Sequence, residues 1–83
     1  MKITNQFKSR LRTYFIKRLG GRDYRHGWMR IPTCPYCGRE EKLGVNLSIY
    51  RTNCFRCNAH SSPAQLIMDI EGFTEYHELI SFL

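Results

Sequence analysis

Two Cys-x-x-Cys pairs, an alternating apolar stretch between them and helical periodicity on both flanks predict a small α+β metal-binding domain. Its centre is expected to be a ribbon-like antiparallel β hairpin or sheet over residues 21–61. A basic amphipathic helix over residues 1–20 precedes it, and two C-terminal helices over residues 62–83 pack on it to make one compact domain. A chain of 83 residues buries only about 60 to 65% of the surface its unfolded form exposes. So small a core needs a supplement, and the four cysteines make disulfides or a metal the first candidates.

The first helix is read from Ile3 to Leu19, where Ile3, Phe7, Leu11, Tyr14 and Phe15 recur at helical spacing and Gly20 with Gly21 supplies the stop. Lys8, Arg10, Arg12 and Lys17 flank this stripe, while Arg18 falls inside it and must extend its head group outward. Residues 1–30 hold nine Lys or Arg against one acid, Asp23, a balance of +8; the remainder holds four bases and six acids, a balance of −2. This asymmetry reads either as a contact surface for a polyanion, nucleic acid foremost, or as the solvated face of a packing helix. An acid-free, Arg-rich start also fits a mitochondrial presequence, but the helix runs into the domain without a cleavage-like linker.

Gly21 to Gly27 are polar and basic and read as a loop, and Trp28 to Ile31, with short strand character, are taken as its continuation. Val45, Leu47 and Ile49 alternate with Asn46, Ser48 and Tyr50, the period of a half-buried strand. Arg51, Thr52 and Asn53 then form a turn, and Cys54 to Arg56 begin the returning strand. Ser62 as N-cap, Pro63 at the first helical position and Gln65 three residues after the cap predict a helix from Pro63 to Glu71 that stops at Gly72. Thr74 is expected to cap a last helix with Tyr76, Leu79, Ile80 and Leu83 on one face.

Cys34-Pro-Tyr-Cys37 and Cys54-Phe-Arg-Cys57 are separated by sixteen residues, an arrangement in which two tight turns present four thiolates to one tetrahedral zinc. Two intervening residues let each turn aim its backbone amides at the sulfurs, and Gly38 and Asn58 suit the conformation required just after each pair. Disulfides would need an oxidising compartment that nothing in the chain indicates. A redox dithiol lacks its strand–helix–strand surround, and an iron–sulfur cluster is the other four-thiolate possibility. One structural Zn2+ is the expected cofactor. Four thiolates leave no position for a reactive water, so no catalytic residue is assigned. His60 follows Cys57 by the same gap as the cysteines; it is a substitute ligand, a support for a thiolate, a nucleic-acid contact or a cap on the turn.

The stretch RIPTCPYCG from Arg30, the sixteen-residue spacer and CFRCNAHSSPAQLIM up to Met68 resemble the N-terminal zinc-binding domain of DNA primases of the bacterial and T-even phage type. About half of the chain is covered. Cys54, Cys57, Asn58 and His60, with Pro63 displaced by one extra serine, match the C-x-x-C-N-x-H-x-P stretch of the phage proteins. The resemblance implies a zinc ribbon that selects the single-stranded DNA template site at which a primer begins in replication. It also implies that synthesis belongs to a separate polymerase domain, with that domain or a replicative helicase as protein partner. Asp69, Glu71, Glu75 and Glu78 form no acidic pair poised for magnesium.

Single strands are gripped by cations along the phosphates and by aromatic faces under the bases. The candidates are Trp28, Arg30, Arg39 and Lys42 around the first cysteine pair and Tyr50, Arg51, Arg56 and His60 around the second. Phe55 and Tyr36 are equally suited to the core, and so is Trp28, since strand alternation must turn some of these rings inward. A different class of function, a zinc-ribbon adaptor that binds a helicase or an RNA polymerase, is supported by the acidic, apolar C-terminal helices. No apolar run approaches the roughly 18 residues of a membrane span, and no signal segment follows Lys2. The expected location is therefore intracellular, the cytoplasm of a bacterial or phage-infected cell, with no membrane partner.

Overall fold

The computed structural model describes residues 3–83. In chain order the elements are α1 (Asn5–Leu19), β1 (Arg22–Asp23), β2 (Trp28–Thr33), β3 (Glu40–Asn46), β4 (Arg51–Cys54), β5 (His60–Ser61), α2 (Pro63–Glu71) and α3 (Tyr76–Phe82). The strands form one antiparallel meander in the order β1-β2-β3-β4-β5. The small α+β architecture agrees with the expectation, with more sheet than the sequence reading assigned.

Helix α1 starts two residues later than expected. Thr4 Oγ1 accepts the Phe7 N–H at 3.1 Å, which fixes Thr4 as the cap and leaves Ile3 outside the helix. At the other end Gly20 takes the left-handed conformation and closes the helix as expected. Gly21 then lets the chain pass against the sheet, because a Cβ there would stand 2.8 Å from Met29 Sδ and 3.0 Å from the Phe15 carbonyl oxygen. Leu11, Tyr14 and Phe15 are buried by this contact.

Two strand assignments are corrected. The expected loop over residues 21–31 contains β1 and most of β2, because Met29 and Ile31 alternate inward and both are fully buried. The apparent strand Val45 to Tyr50 ends at Asn46, and Leu47 to Tyr50 form the turn. The Asn46 side chain is the cause: its Oδ1 accepts the N–H groups of Ser48 at 2.9 Å and Ile49 at 3.3 Å and so substitutes for a strand partner. Arg51, Thr52 and Asn53 are accordingly strand β4, and Phe55 and Arg56 belong to the following turn.

The sheet has one packed and one open face. Met29, Ile31, Leu43, Val45, Thr52 and Cys54 alternate onto the packed face and join Leu11, Phe15, Leu66, Ile67 and Leu79 of the helices in a single core. Ser62 caps α2 by accepting the Gln65 N–H at 3.1 Å, with Pro63 next, as the sequence predicts; the Gln65 side chain instead reaches Asp69 at 2.8 Å. Thr74 does not cap α3. The helix begins at Tyr76, and Glu78 Oε1 accepts from the backbone N–H groups of Glu75 and Thr74 at 3.0 and 3.2 Å, which lowers the Glu78 pKa. Leu79 is buried on this helix, whereas Ile80 is exposed.

Asn46 also joins two turns at one end of the sheet. Its Nδ2 donates to the His26 carbonyl at 3.2 Å, in a β1–β2 turn where His26 and Gly27 both have positive φ. The side chain is almost wholly buried, so its removal strands one carbonyl and two N–H groups. Asn46→Ala is expected to cost about 2 kcal/mol, a fall of roughly 10 °C in the melting temperature of a domain this size, read by thermal denaturation of the metal-loaded protein.

Candidate metal centre and the open sheet face

Each cysteine pair occupies a turn between neighbouring strands: the first joins β2 to β3 and the second joins β4 to β5. The two turns are built alike. Gly38 N–H donates to the Cys34 carbonyl at 2.8 Å and Asn58 N–H to the Cys54 carbonyl at 3.0 Å. Cys34 N–H bonds the Arg39 carbonyl at 3.0 Å, and Cys54 N–H bonds the Ala59 carbonyl at 2.9 Å. Gly38 and Asn58 both adopt the left-handed conformation, with φ of 73° and 59°, as their place after each pair predicts.

The meander sets these two turns side by side at the end opposite Asn46. All four sulfurs lie within 4.8 Å of one another, and Cys37 Sγ is 3.7 Å from Cys54 Sγ. Thiolates about 2.3 Å from a central tetrahedral ion would be about 3.8 Å apart, so the spacing fits a single ion. It does not fit disulfides, and all four cysteines are free. Cys34 and Cys54 are buried, and Cys37 and Cys57 face outward.

Without a cation the cluster is electrostatically uneven. Burial pushes the Cys34 thiol up to about 12, despite backbone N–H groups from Cys37 and Tyr36 that favour its thiolate. Burial acts in the same sense on Cys54, but the N–H groups of Cys57 and Arg56 outweigh it and bring that thiol down to about 6. A divalent ion supplies the positive charge that lets the remaining sulfurs ionise together.

His60 is outside the four-sulfur group. It stands exposed on β5, where its Nδ1 lies 2.9 Å from the Asn58 carbonyl, a contact that buttresses the second cysteine turn. Tyr36 likewise serves the fold, its hydroxyl donating to Asp69 Oδ2 at 2.6 Å and tying the first cysteine turn to α2. Phe55 does not join the core: it is 62% exposed.

The open face gathers several of the expected contact residues. Strand pairing sets Trp28 beside Asn46 and Arg51, and Arg30 beside Gly44 and Asn53, with His60 next in the row. Trp28, Tyr50, Arg51 and His60 line one concavity of about 710 Å³. Tyr50 has φ of 57° and packs partly into the core. Arg39, Lys42 and Arg56 are exposed on or beside the cysteine turns and do not line this hollow. Among the described residues the ion pairs are Arg12–Asp23 at 2.6 Å, Arg18–Glu71 at 3.4 Å and Arg22–Glu41 at 3.3 Å, so Arg30, Arg39, Lys42, Arg51 and Arg56 keep their charges unpaired. Helix α1 lies behind the sheet, with Arg12 and Arg18 engaged in ion pairs and Lys8, Arg10 and Lys17 in none of them.

Sequence reasoning overlooked Tyr24 and Gly44. Gly44 carries a readable signal, a lone glycine between Leu43 and Val45 in an apolar strand, which marks close approach of another group. That group is Trp28: its Cε3 is 3.0 Å from where a Gly44 Cβ would stand. Tyr24 gives no such signal in a polar segment. No protein-family model and no curated protein sequence matches the chain. Among the described residues no helix is long and apolar enough to cross a membrane.

The centre is expected to take up one divalent ion per chain, measured by elemental analysis, and Cys54→Ser should abolish tight uptake and the cooperative thermal transition together. Because the folded Cys54 pKa lies below the ordinary thiol value, its contribution to stability is complete above that ordinary value and is lost progressively as pH falls toward about 6. Protons compete with the ion for the four thiolates, so ion release measured with a chromogenic chelator should rise as pH falls.

Proposed function

We propose that the chain is a zinc-ribbon module that binds single-stranded nucleic acid across the open face of its sheet, as the template-reading zinc domain of a DNA primase. Zinc suits a closed set of four thiolates held by backbone N–H groups, and its role is to fix the fold. The observation that carries the nucleic-acid reading is the division of the sheet. One face is consumed by the core, while the other presents Trp28, Arg30 and Arg51 together, with Arg39, Lys42 and Arg56 at its metal end. Cations without acidic partners beside an aromatic ring are what a strand of phosphates and bases requires.

The primase assignment adds the resemblance of Arg30 to Met68 to this geometry. Template selection then belongs to the ribbon and nucleotide addition to a separate polymerase domain. The helical side, on which Ile80 and Phe82 of α3 are exposed, supports contact with that domain or with a helicase. The same exposed residues favour the adaptor reading, in which a protein is the sole ligand. The two differ in what the arginines do.

Arg51→Ala combined with Arg56→Ala is expected to weaken binding of a short single-stranded DNA. It should also reduce the log–log slope of affinity against salt by about 1.4, the value for two lost phosphate contacts on a single strand. A salt titration by fluorescence anisotropy measures both. Unchanged affinity and slope would exclude these arginines from the site, and absence of binding by the zinc-loaded wild type would leave the adaptor reading.

A further inference from the structure

Beside the polar concavity lies a second hollow of about 220 Å³, bounded by Tyr24, Arg25, Trp28, Arg30, Gly44 and Phe55. Its walls are unusual for a surface. Tyr24 is 57% exposed and Phe55 62% exposed, although burying such a ring is worth about 1.5 to 3 kcal/mol. The ring–ring contacts of the described residues join Phe7, Tyr14, Phe15, Phe73, Tyr76 and Phe82 on the helical side, so Tyr24, Trp28 and Phe55 stack on no other ring. Three aromatic side chains thus border one hollow, and none of them stacks on another ring of the described residues.

The backbone explains why they are held open. Gly44, in the middle of the central strand, lets the indole of Trp28 lie close against the sheet. Phe55 leaves the end of β4 beside Lys42, whose carbonyl accepts the Phe55 N–H at 2.9 Å. Tyr24 is steadied by two guanidinium groups, with Arg30 Cζ 4.5 Å and Arg25 Cζ 5.1 Å from its ring centroid. These cations flank the hollow without filling it.

Trp28 also lines the larger concavity, whose other walls include Arg51, Asn53, His60 and Ser61. One indole therefore separates an aromatic hollow from a polar, cationic one. We infer that the aromatic hollow is a subsite for one unpaired nucleobase, stacked among Trp28, Phe55 and Tyr24, while the sugar and phosphate of its neighbour cross Trp28 toward Arg51. The inference rests on the nucleic-acid reading above. A planar, polarisable ring matches a hollow bordered by three aromatic side chains, and the flanking guanidinium groups favour a ligand that carries phosphate.

Trp28 is the only tryptophan of the chain, so its fluorescence reports on the hollow directly. The zinc-loaded protein is titrated with a short oligothymidylate and with a strand of equal length carrying abasic sites. The oligothymidylate should quench Trp28, and the abasic strand should bind at least about fivefold more weakly and leave the emission unchanged, since a stacked base is worth at least about 1 kcal/mol. Phe55→Ala should lower oligothymidylate affinity about tenfold with the salt slope unchanged, whereas the arginine double variant lowers the slope and keeps the quenching. Both aromatics are exposed, so retained zinc content and melting temperature verify the fold of Phe55→Ala and Tyr24→Ala. If the strand binds, yet both variants retain full affinity and Trp28 is not quenched, the base subsite is wrong and the nucleic-acid reading survives. If no strand binds the wild type, both fall; quenching by apolar peptides alone would make the hollow a protein contact.

Discussion

The fold depends on closing four sulfurs at one end of a five-stranded meander. Each cysteine pair sits in the turn of its own hairpin, so an ion held between them would cross-link β2–β3 to β4–β5. A core of this size offers few other means of resisting splay between neighbouring hairpins. Metal binding and folding are one equilibrium in such a domain, and apparent zinc affinities of about 10 to 16 kcal/mol in finger peptides equal the whole stability of many small proteins.

The opposite end is held without metal. Asn46 spends both ends of its amide there, donating to the turn that precedes β2 and accepting from the turn that follows β3. Between the sulfur cluster and this amide the sheet is fixed at both ends, which gives its exposed side chains a defined spacing. A surface on such a frame can present rings and cations to a flexible ligand without first ordering itself, and less binding energy is lost to ordering.

Charge is distributed to suit that division of labour. The basic excess of the first thirty residues is split by the fold, with α1 behind the sheet and Arg22, Arg25 and Arg30 at its β1 side. Acidic partners neutralise Arg12, Arg18 and Arg22, whereas the cations of the open face and the cysteine turns have none among the described residues. Lys8, Arg10 and Lys17 of α1 are likewise in none of these ion pairs, so what distinguishes the sheet is that its unpaired cations stand beside Trp28.

The sequence by itself determined the four-cysteine cluster and several of the helix ends around it. Paired cysteines with Gly38 and Asn58 after them, Ser62 before Pro63, and Gly20 and Gly72 as stops act over a few residues, and the structure agrees at each. Strand register was not legible, because the alternation of Val45, Leu47 and Ile49 continues past Asn46, and only a side chain bonding across space to His26 and back to its own turn ends the strand there. Thr74 looked like a cap for the same local reason, but Glu75 holds the cap position and Glu78, inside the helix, reaches back to bond the backbone N–H groups of Glu75 and Thr74. What each aromatic meets was decided by tertiary structure alone: Tyr36 and Phe55 both lie between the cysteines of their turns, yet Asp69 of a distant helix bonds the Tyr36 hydroxyl while Phe55 stays 62% exposed. Backbone conformation is set by neighbours along the chain, but burial and partnership are set by whatever the packed sheet brings alongside.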